Sequence, residues 1–314
     1  MATPVQPPKV SPVDALRDAF DHTRRQLFPI RVEKWLALGL LAFLDQCGRS
    51  FRGGAGNGAQ WHGGGGGRGG GGAHVAEWIR QAAEWVSLHS ALVAGGVVAG
   101  VLLVAVLAAI VLWFNARGVF MYLDDVATGR ADVARPWRQH ALAASSYFAW
   151  SLGISLATLF LVLALAGAVA TLAVAFATGR LQGTSAWLTG AAMTPVLLLL
   201  ALALPCLALA ALALRDFVAP LQLASGLPCG ASARVLEALV LANPGAFVLY
   251  LLLKLAIVVG SGIVITILGC LTCCIAFLPV LMQVVFQPLF FFERAFSVFL
   301  LRQLGYDVRA RLGA

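Results

Sequence analysis

From Tyr147 to Ala177 the chain runs thirty-one residues without a charged side chain. At a rise of about 1.5 Å per residue such a run is ~46 Å long as a helix, more than the ~30 Å hydrocarbon core of a bilayer. It must therefore tilt, bend or protrude, with Gly153 and Gly167 as candidate bends. Hydrocarbon offers no water to backbone N–H and C=O groups, so a single spanning segment has to be helical. Ala91 to Phe114, Trp187 to Leu214, Ala246 to Leu268 and Ile275 to Phe292 read in the same way. With 60% hydrophobic and 11% charged residues, against about 25% charged in soluble domains, no soluble fold of this length could hide so much apolar surface.

A sixth run, Trp35 to Leu44, is only ten residues long and is followed at once by Asp45 and Gln46. Charge counting decides whether it crosses. If it does, one side of the membrane carries 16 Lys/Arg and the other 5, with Lys254 within the membrane; if it does not, the split is 11 against 10. The positive-inside rule favours six crossings with both termini cytoplasmic. The expected fold class is thus all-α: a polytopic membrane helix bundle of about six transmembrane helices plus interfacial amphipathic helices. No cleavable signal peptide is visible, and insertion into the cytoplasmic membrane is assigned to the spanning helices.

Along the chain, residues 1–10 read as a disordered leader, 11–304 as one membrane domain and 305–314 as a cytoplasmic tail. Ser11 followed by Pro12 and Asp14 predicts a helix start. Val13, Leu16, Phe20 and Leu27 fall on one face of that helix, which is expected to lie on the membrane surface, with packing on another protein helix as the alternative. The Gly-rich loop 49–74 has the composition of a flexible linker; it lacks the Gly-Lys-Ser/Thr of a phosphate-binding loop. Val75 to Leu88 is amphipathic with Trp78 and Trp85 seven residues apart, as in an interfacial helix. Pro195 and Pro205 are expected to kink the fourth long run.

Two stretches between the runs repeat faintly. Arg117, Val119-Phe120, Leu123 and Ala127-Thr128-Gly129 are echoed by Arg215, Phe217-Val218, Leu221 and Ala224-Ser225-Gly226, and Pro220-Leu221 by Pro288-Leu289. Both stretches are expected to be cytoplasmic loops, the second including an amphipathic segment from Ser232 to Leu241.

The chemistry-bearing residues are few. Lys254, Gln283 and Gln287, with Glu293 just beyond, are polar groups inside or at the edge of the last apolar pair, and lipid tolerates them only when something satisfies them. Lys254 is expected to pair with Gln287 or Glu293, as a proton, ion or anionic-lipid site or as a snorkelling anchor. Cys270, Cys273 and Cys274 sit at the predicted outer turn; without further ligands they make no zinc site, and a disulfide among them is open. Asp124-Asp125 lacks the spacing that would gather a metal-diphosphate, and Ser261 lacks a histidine partner. The chain is therefore expected to be no enzyme, with no catalytic residue, metal or cofactor. A net charge of +8 with scattered basic residues argues for the lipid bilayer as partner, with other membrane proteins as further candidates, and against nucleic acid. Arginine outnumbers lysine nineteen to three, a composition expected of a bacterium with a GC-rich genome.

Ala19-Phe20, Leu27-Phe28-Pro29, Lys34-Trp35-Leu36 and Ala42-Phe43-Leu44, followed by the Gly-rich insert, resemble an uncharacterised family of bacterial and archaeal multi-pass membrane proteins. Phe286-Gln287-Pro288-Leu289 before Glu293-Arg294 looks more distantly like the membrane domain of some glycerophosphodiester phosphodiesterases. The resemblance implies a fold and carries over no functional residue. The function expected is a non-catalytic envelope scaffold or lipid-interacting partner, with a small transporter using a site near Lys254 as the alternative.

Overall fold

A computed structural model describes residues 10–47, 88–177, 184–271, 278 and 280–313. The described residues are helical throughout, without a strand. The Gly-rich segment, His62, the Trp78/Trp85 helix and Cys273 and Cys274 lie outside them.

In order, the helices are α1 (Pro12–Leu27), α2 (Val32–Gln46), α3 (Ser90–Thr128), α4 (Ala134–Gln139), α5 (Ala141–Ala177) and α6 (Thr184–Ala213). A π-helical turn, Leu214–Val218, leads into α7 (Ala219–Ser225). Then come α8 (Cys229–Ala242), α9 (Pro244–Leu271), α10 (Leu281–Val285), α11 (Gln287–Gln303) and α12 (Val308–Leu312). The chain divides into two compact units, 1–56 with 112–314, and 57–111. The first holds the core and the polar clusters described below.

That unit combines a packed end with uncovered apolar arms. Buried side chains concentrate in Leu112–Ala127, Leu214–Leu223 and along α11, while α5, α6 and α9 leave Phe160, Leu199 and Leu255 60% or more exposed. Surface of this kind is stable only against lipid. Four stretches, Val98–Thr128, Ala141–Leu172, Met193–Ser225 and Pro244–Leu271, are long and apolar enough to cross a membrane. This is a membrane-embedded all-α protein.

Several expectations change here. At fifteen residues, α2 falls short of a spanning helix by itself, and its Leu38, Leu41, Ala42 and Asp45 are buried inside the protein. Nor do the described residues of Ile275 to Phe292 form one span: Val280 takes φ +69°, a five-residue helix follows, and the chain turns again at Phe286 before α11. The physical reason is close backbone packing. A Cβ on Gly39 of α2 would lie 2.3 Å from the Val284 side chain, so these two short segments meet where a regular spanning helix would not fit. A second close approach puts a Cβ on Gly118 of α3 within 2.9 Å of the Leu44–Asp45 backbone.

The predicted loop from Arg117 is instead the C-terminal end of α3, and residues 215–225 are helical as well. Both belong to the core. Their faint repeat has a structural counterpart. Thr128 and Ser225 each donate a hydroxyl to the carbonyl four residues back, at 2.8 and 2.6 Å. Gly129 and Gly226 both then take φ +74°, the left-handed conformation that ends a helix at low steric cost. Pro220 and Pro288 likewise both occupy the first turn of their helices. Pro195 and Pro205 both lie inside α6.

Ser11 does cap α1, accepting the Asp14 N–H at 3.3 Å. The face that α1 buries is only in part the predicted one: Leu27 is buried and Leu16 packs against the core, but Val13 and Phe20 do not join them. Ala15, Ala19, His22 and Leu27 are buried against the core, whereas Val13 and Phe20 stay more than half exposed. Small alanines let α1 lie close against α11, and the Ser11 N–H bonds Gln303 Oε1 at 2.8 Å. So α1 is a core helix, with an apolar flank left over on its outer side.

Candidate functional site

Charged side chains end several of the apolar runs: Asp45 closes α2, Arg215-Asp216 follow α6, and Glu293-Arg294 follow the aromatic start of α11. Lys254 lies ten residues after the start of α9, about 15 Å along its axis. The fold gathers these six residues into one network, and none is more than 7% exposed.

Arg215 stands at its centre. Its Nη2 and Nε reach the Asp45 carboxylate, the latter at 3.3 Å, in the two-pronged contact that suits a guanidinium. Its Nη1 lies 3.4 Å from both Asp216 Oδ1 and Glu293 Oε1. Lys254 Nζ sits between Asp216 Oδ2 at 2.9 Å and Glu293 Oε1 at 3.0 Å, as an ion contact without a well-aligned hydrogen bond. Arg294 Nη1 donates to the Arg215 carbonyl at 2.6 Å and lies 3.6 Å from Asp216. Three cations thus face three carboxylates.

The surrounding helices hold this arrangement in place. Tyr250, one turn before Lys254, donates its hydroxyl to Asp216 Oδ2 at 3.1 Å while its ring stacks on Phe296 at 4.6 Å. Asn115 of α3 donates to the Leu44 and Asp45 carbonyls at 2.9 and 2.7 Å, which fixes the end of α2. The π-helical turn adds one residue to the helical repeat at Arg215-Asp216, a local distortion common where side chains must converge.

Of the expected site residues, Lys254 and Glu293 meet directly. Gln287 does not join them; its Nε2 donates to Tyr122 Oη at 3.1 Å. Gln283 is buried, and its Oε1 lacks a hydrogen-bond partner. Asp45, Arg215, Asp216 and Arg294 were not expected in the site. Their signal was positional, since each marks the edge of an apolar run, but no spacing rule states which edges meet. A bundle in lipid has no cheap place for an isolated charge, so these edges had to find one another.

A second polar cluster lies near the end of α3. His140 Nε2 lies 2.7 Å from Asp124 Oδ2, with the exposed Arg135 3.3 Å from the other oxygen, and Asp125 accepts the Asp132 N–H at 3.2 Å. The adjacent aspartates thus close the α3–α5 connection. His22 of α1, between the rings of Phe291 and Phe299, bonds the Val126 carbonyl at 2.7 Å, which requires the proton on Nε2. Burial holds its pKa below the ordinary histidine value. Ser261 donates to the Val258 carbonyl of its own helix at 3.1 Å. Cys270 is an exposed free thiol. Among the described residues no three His, Cys, Asp or Glu side chains are grouped to hold a metal ion.

The model of DUF7544, a family of unknown function, matches residues 10–306. The chain belongs to this family. The match takes in all six residues of the ion network and both segments of the internal repeat. No curated protein and no solved structure matches the chain.

Proposed function

We propose that this DUF7544 protein is a non-catalytic membrane scaffold and lipid-interacting partner whose ion network locks helices from distant parts of the chain into one rigid end. One observation carries this reading. The six buried charges sum to zero, and each has an opposite charge within ion-pair distance. A site that handles a substrate needs a charge left in deficit or an opening to reach it, whereas Lys254 is only 3% exposed and held by two carboxylates. Burial without release is the behaviour of a structural clasp.

Its place is the cytoplasmic membrane with both termini cytoplasmic, supported by the distribution of 16 against 5 Lys/Arg. In this reading α2 and the segment ahead of α11 complete six crossings as two short pieces beside four long ones. The contact of α1 with α11 supports keeping the two ends of the chain on one side.

A small permease using the Lys254 region is the second reading. The fully buried Arg294 favours it, because its Nε and Nη2 lack hydrogen-bond partners. Flux separates the two. Proteoliposomes carrying the protein, assayed for proton and ion movement with pH- and potential-sensitive dyes, should match empty vesicles for wild type and K254M alike. Flux that depends on Lys254 overturns the scaffold.

A further inference from the structure

The outer side of α1 sorts its residues into two stripes. Val13, Arg17, Phe20 and Arg24, spaced four, three and four residues apart, share one line along the helix, and Asp14, Asp18, Asp21 and Arg25 share the line beside it. All eight are exposed. The first stripe thus joins two cations to two large apolar side chains, and the second holds all three acids of the helix. Val13 is more than half exposed, as is Phe20, whose ring meets Phe292 edge-on with centroids 6.3 Å apart.

Pairing within the helix does not account for the arginines. Asp14 and Asp21 lie within about one turn of Arg17, and Asp21 within one turn of Arg24. Even so, among the described residues neither arginine forms an ion pair. Arg25, in the acidic stripe, folds back along its own helix, its Nε donating to the Asp21 carbonyl at 3.2 Å.

The neighbouring helix sets the depth of this surface. Along α2, Val32, Leu36 and Leu40 form an outer line at a spacing of four, between 42% and 68% exposed and free of charge. Such a line is stable only against hydrocarbon. Only four residues, Phe28 to Arg31, separate it from the end of α1. Lys34 Nζ donates to the Gln26 carbonyl at 2.8 Å and Trp35 Nε1 to the Leu27 carbonyl at 3.2 Å, which ties the end of α1 to the start of α2. The outer line of α2 therefore meets acyl chains, and α1, with arginines among its apolar side chains, belongs at the headgroup edge beside it. A helix facing water gains nothing from gathering its acids on one line. An anionic leaflet explains it: the guanidinium groups sit at the phosphates, Val13 and Phe20 dip among the first acyl carbons, and the aspartates turn away from the bilayer.

We propose that the Val13-Arg17-Phe20-Arg24 stripe is a docking surface for anionic phospholipid. This rests on the lipid-interacting reading above and adds to it a place on the protein and a chemical class of lipid.

The test is thermal unfolding of the full chain in neutral detergent, followed by tryptophan fluorescence and titrated with phosphatidylglycerol or phosphatidylcholine. Phosphatidylglycerol should raise the wild-type midpoint saturably, and phosphatidylcholine should do so only weakly. R17Q/R24Q should weaken the phosphatidylglycerol response about thirtyfold, the equivalent of ~2 kcal/mol for two basic residues at an anionic surface. Its lipid-free midpoint should stay at the wild-type value, because neither side chain is buried or paired. R138Q/R234Q removes the same charge from exposed positions on α4 and α8 and should keep most of the response. Equal responses to the two lipids in the wild type, or equal losses in the two variants, overturn the stripe. The apolar half is read by hydroxyl-radical footprinting in bilayer nanodiscs, which should spare Phe20; oxidation as fast as in the SDS-unfolded chain places the stripe in water and overturns the proposal. A wild type that is dimeric by light scattering and becomes monomeric as V13S/F20S assigns the stripe to a second copy and overturns the lipid. Each of these failures leaves the scaffold standing, whereas Lys254-dependent flux fells the scaffold without touching the titrations.

Discussion

Lys254→Met is the perturbation that most directly examines the ion network. The wild-type cluster has three cations, Arg215, Lys254 and Arg294, and three carboxylates, Asp45, Asp216 and Glu293. Removing Lys254 leaves two against three, a net charge of −1 among residues no more than 7% exposed. Asp216 Oδ2 then keeps only the Tyr250 hydroxyl, and Glu293 keeps only the 3.4 Å contact to Arg215 among the ion pairs described. Breaking one partner of a buried pair costs about 3–5 kcal/mol, because the remaining charge stays desolvated. E293Q alone leaves the cluster at +1 and should cost a similar amount. K254M/E293Q restores two against two. The double variant should therefore fall short of the sum of the singles by ~1–3 kcal/mol, the coupling expected of groups in one network. The assay is equilibrium unfolding in detergent micelles, read by tryptophan fluorescence, for wild type, both singles and the double. Singles that cost less than ~1 kcal/mol, or strict additivity in the double, would refute the clasp, since either result means that the charges do not depend on one another.

Close packing should make G118A destabilising by about 1–3 kcal/mol, as overpacking does, because the new Cβ would meet the Leu44–Asp45 backbone; unfolding midpoints check this. His22 is held neutral by burial, with its pKa below the ordinary 6.5, so the unfolded chain binds the proton more readily. Its contribution is fully present above pH ~6.5 and is lost as pH falls from there through the lowered folded value, a slope that H22Q should flatten in stability measurements at pH 5 to 8. Burial pushes the Cys229 thiol up to about 12, and thiolate is the reactive form. N-ethylmaleimide at neutral pH should leave Cys229 unlabelled in the native protein and modify it after unfolding in SDS, as mass spectrometry of the digest would show.

How much of this could be read from residues varied by element. The cap at Ser11 was legible because capping is local, three residues wide. The repeat around Thr128-Gly129 and Ser225-Gly226 was visible as spelling, and its left-handed glycines follow from the same short-range rules. Lys254 stood out because one ammonium in an apolar run is conspicuous, and Glu293 was in reach by helical rise. Gln287 was misplaced as a partner, since depth along a helix says nothing of azimuth, and it faces Tyr122 instead. The buried face of α1 was legible only in Leu16 and Leu27, because the amphipathic pattern favours large residues, whereas the buried face also includes Ala15 and Ala19.

By itself the sequence determined the solvent. Long uncharged runs can be stable only as helices in hydrocarbon, because the backbone must satisfy itself and the side chains need lipid; this holds whatever the neighbours. Which short segments enter the core was settled only in three dimensions, where Gly39 and Gly118 let α2 approach Val284 and α3 more closely than any longer side chain permits. The partnership of Asp45 with Arg215, 170 residues apart, belongs to the same class. A charge at the edge of an apolar run must be neutralised, and the sequence states that need. Only the packing of four separate helices supplies the partner.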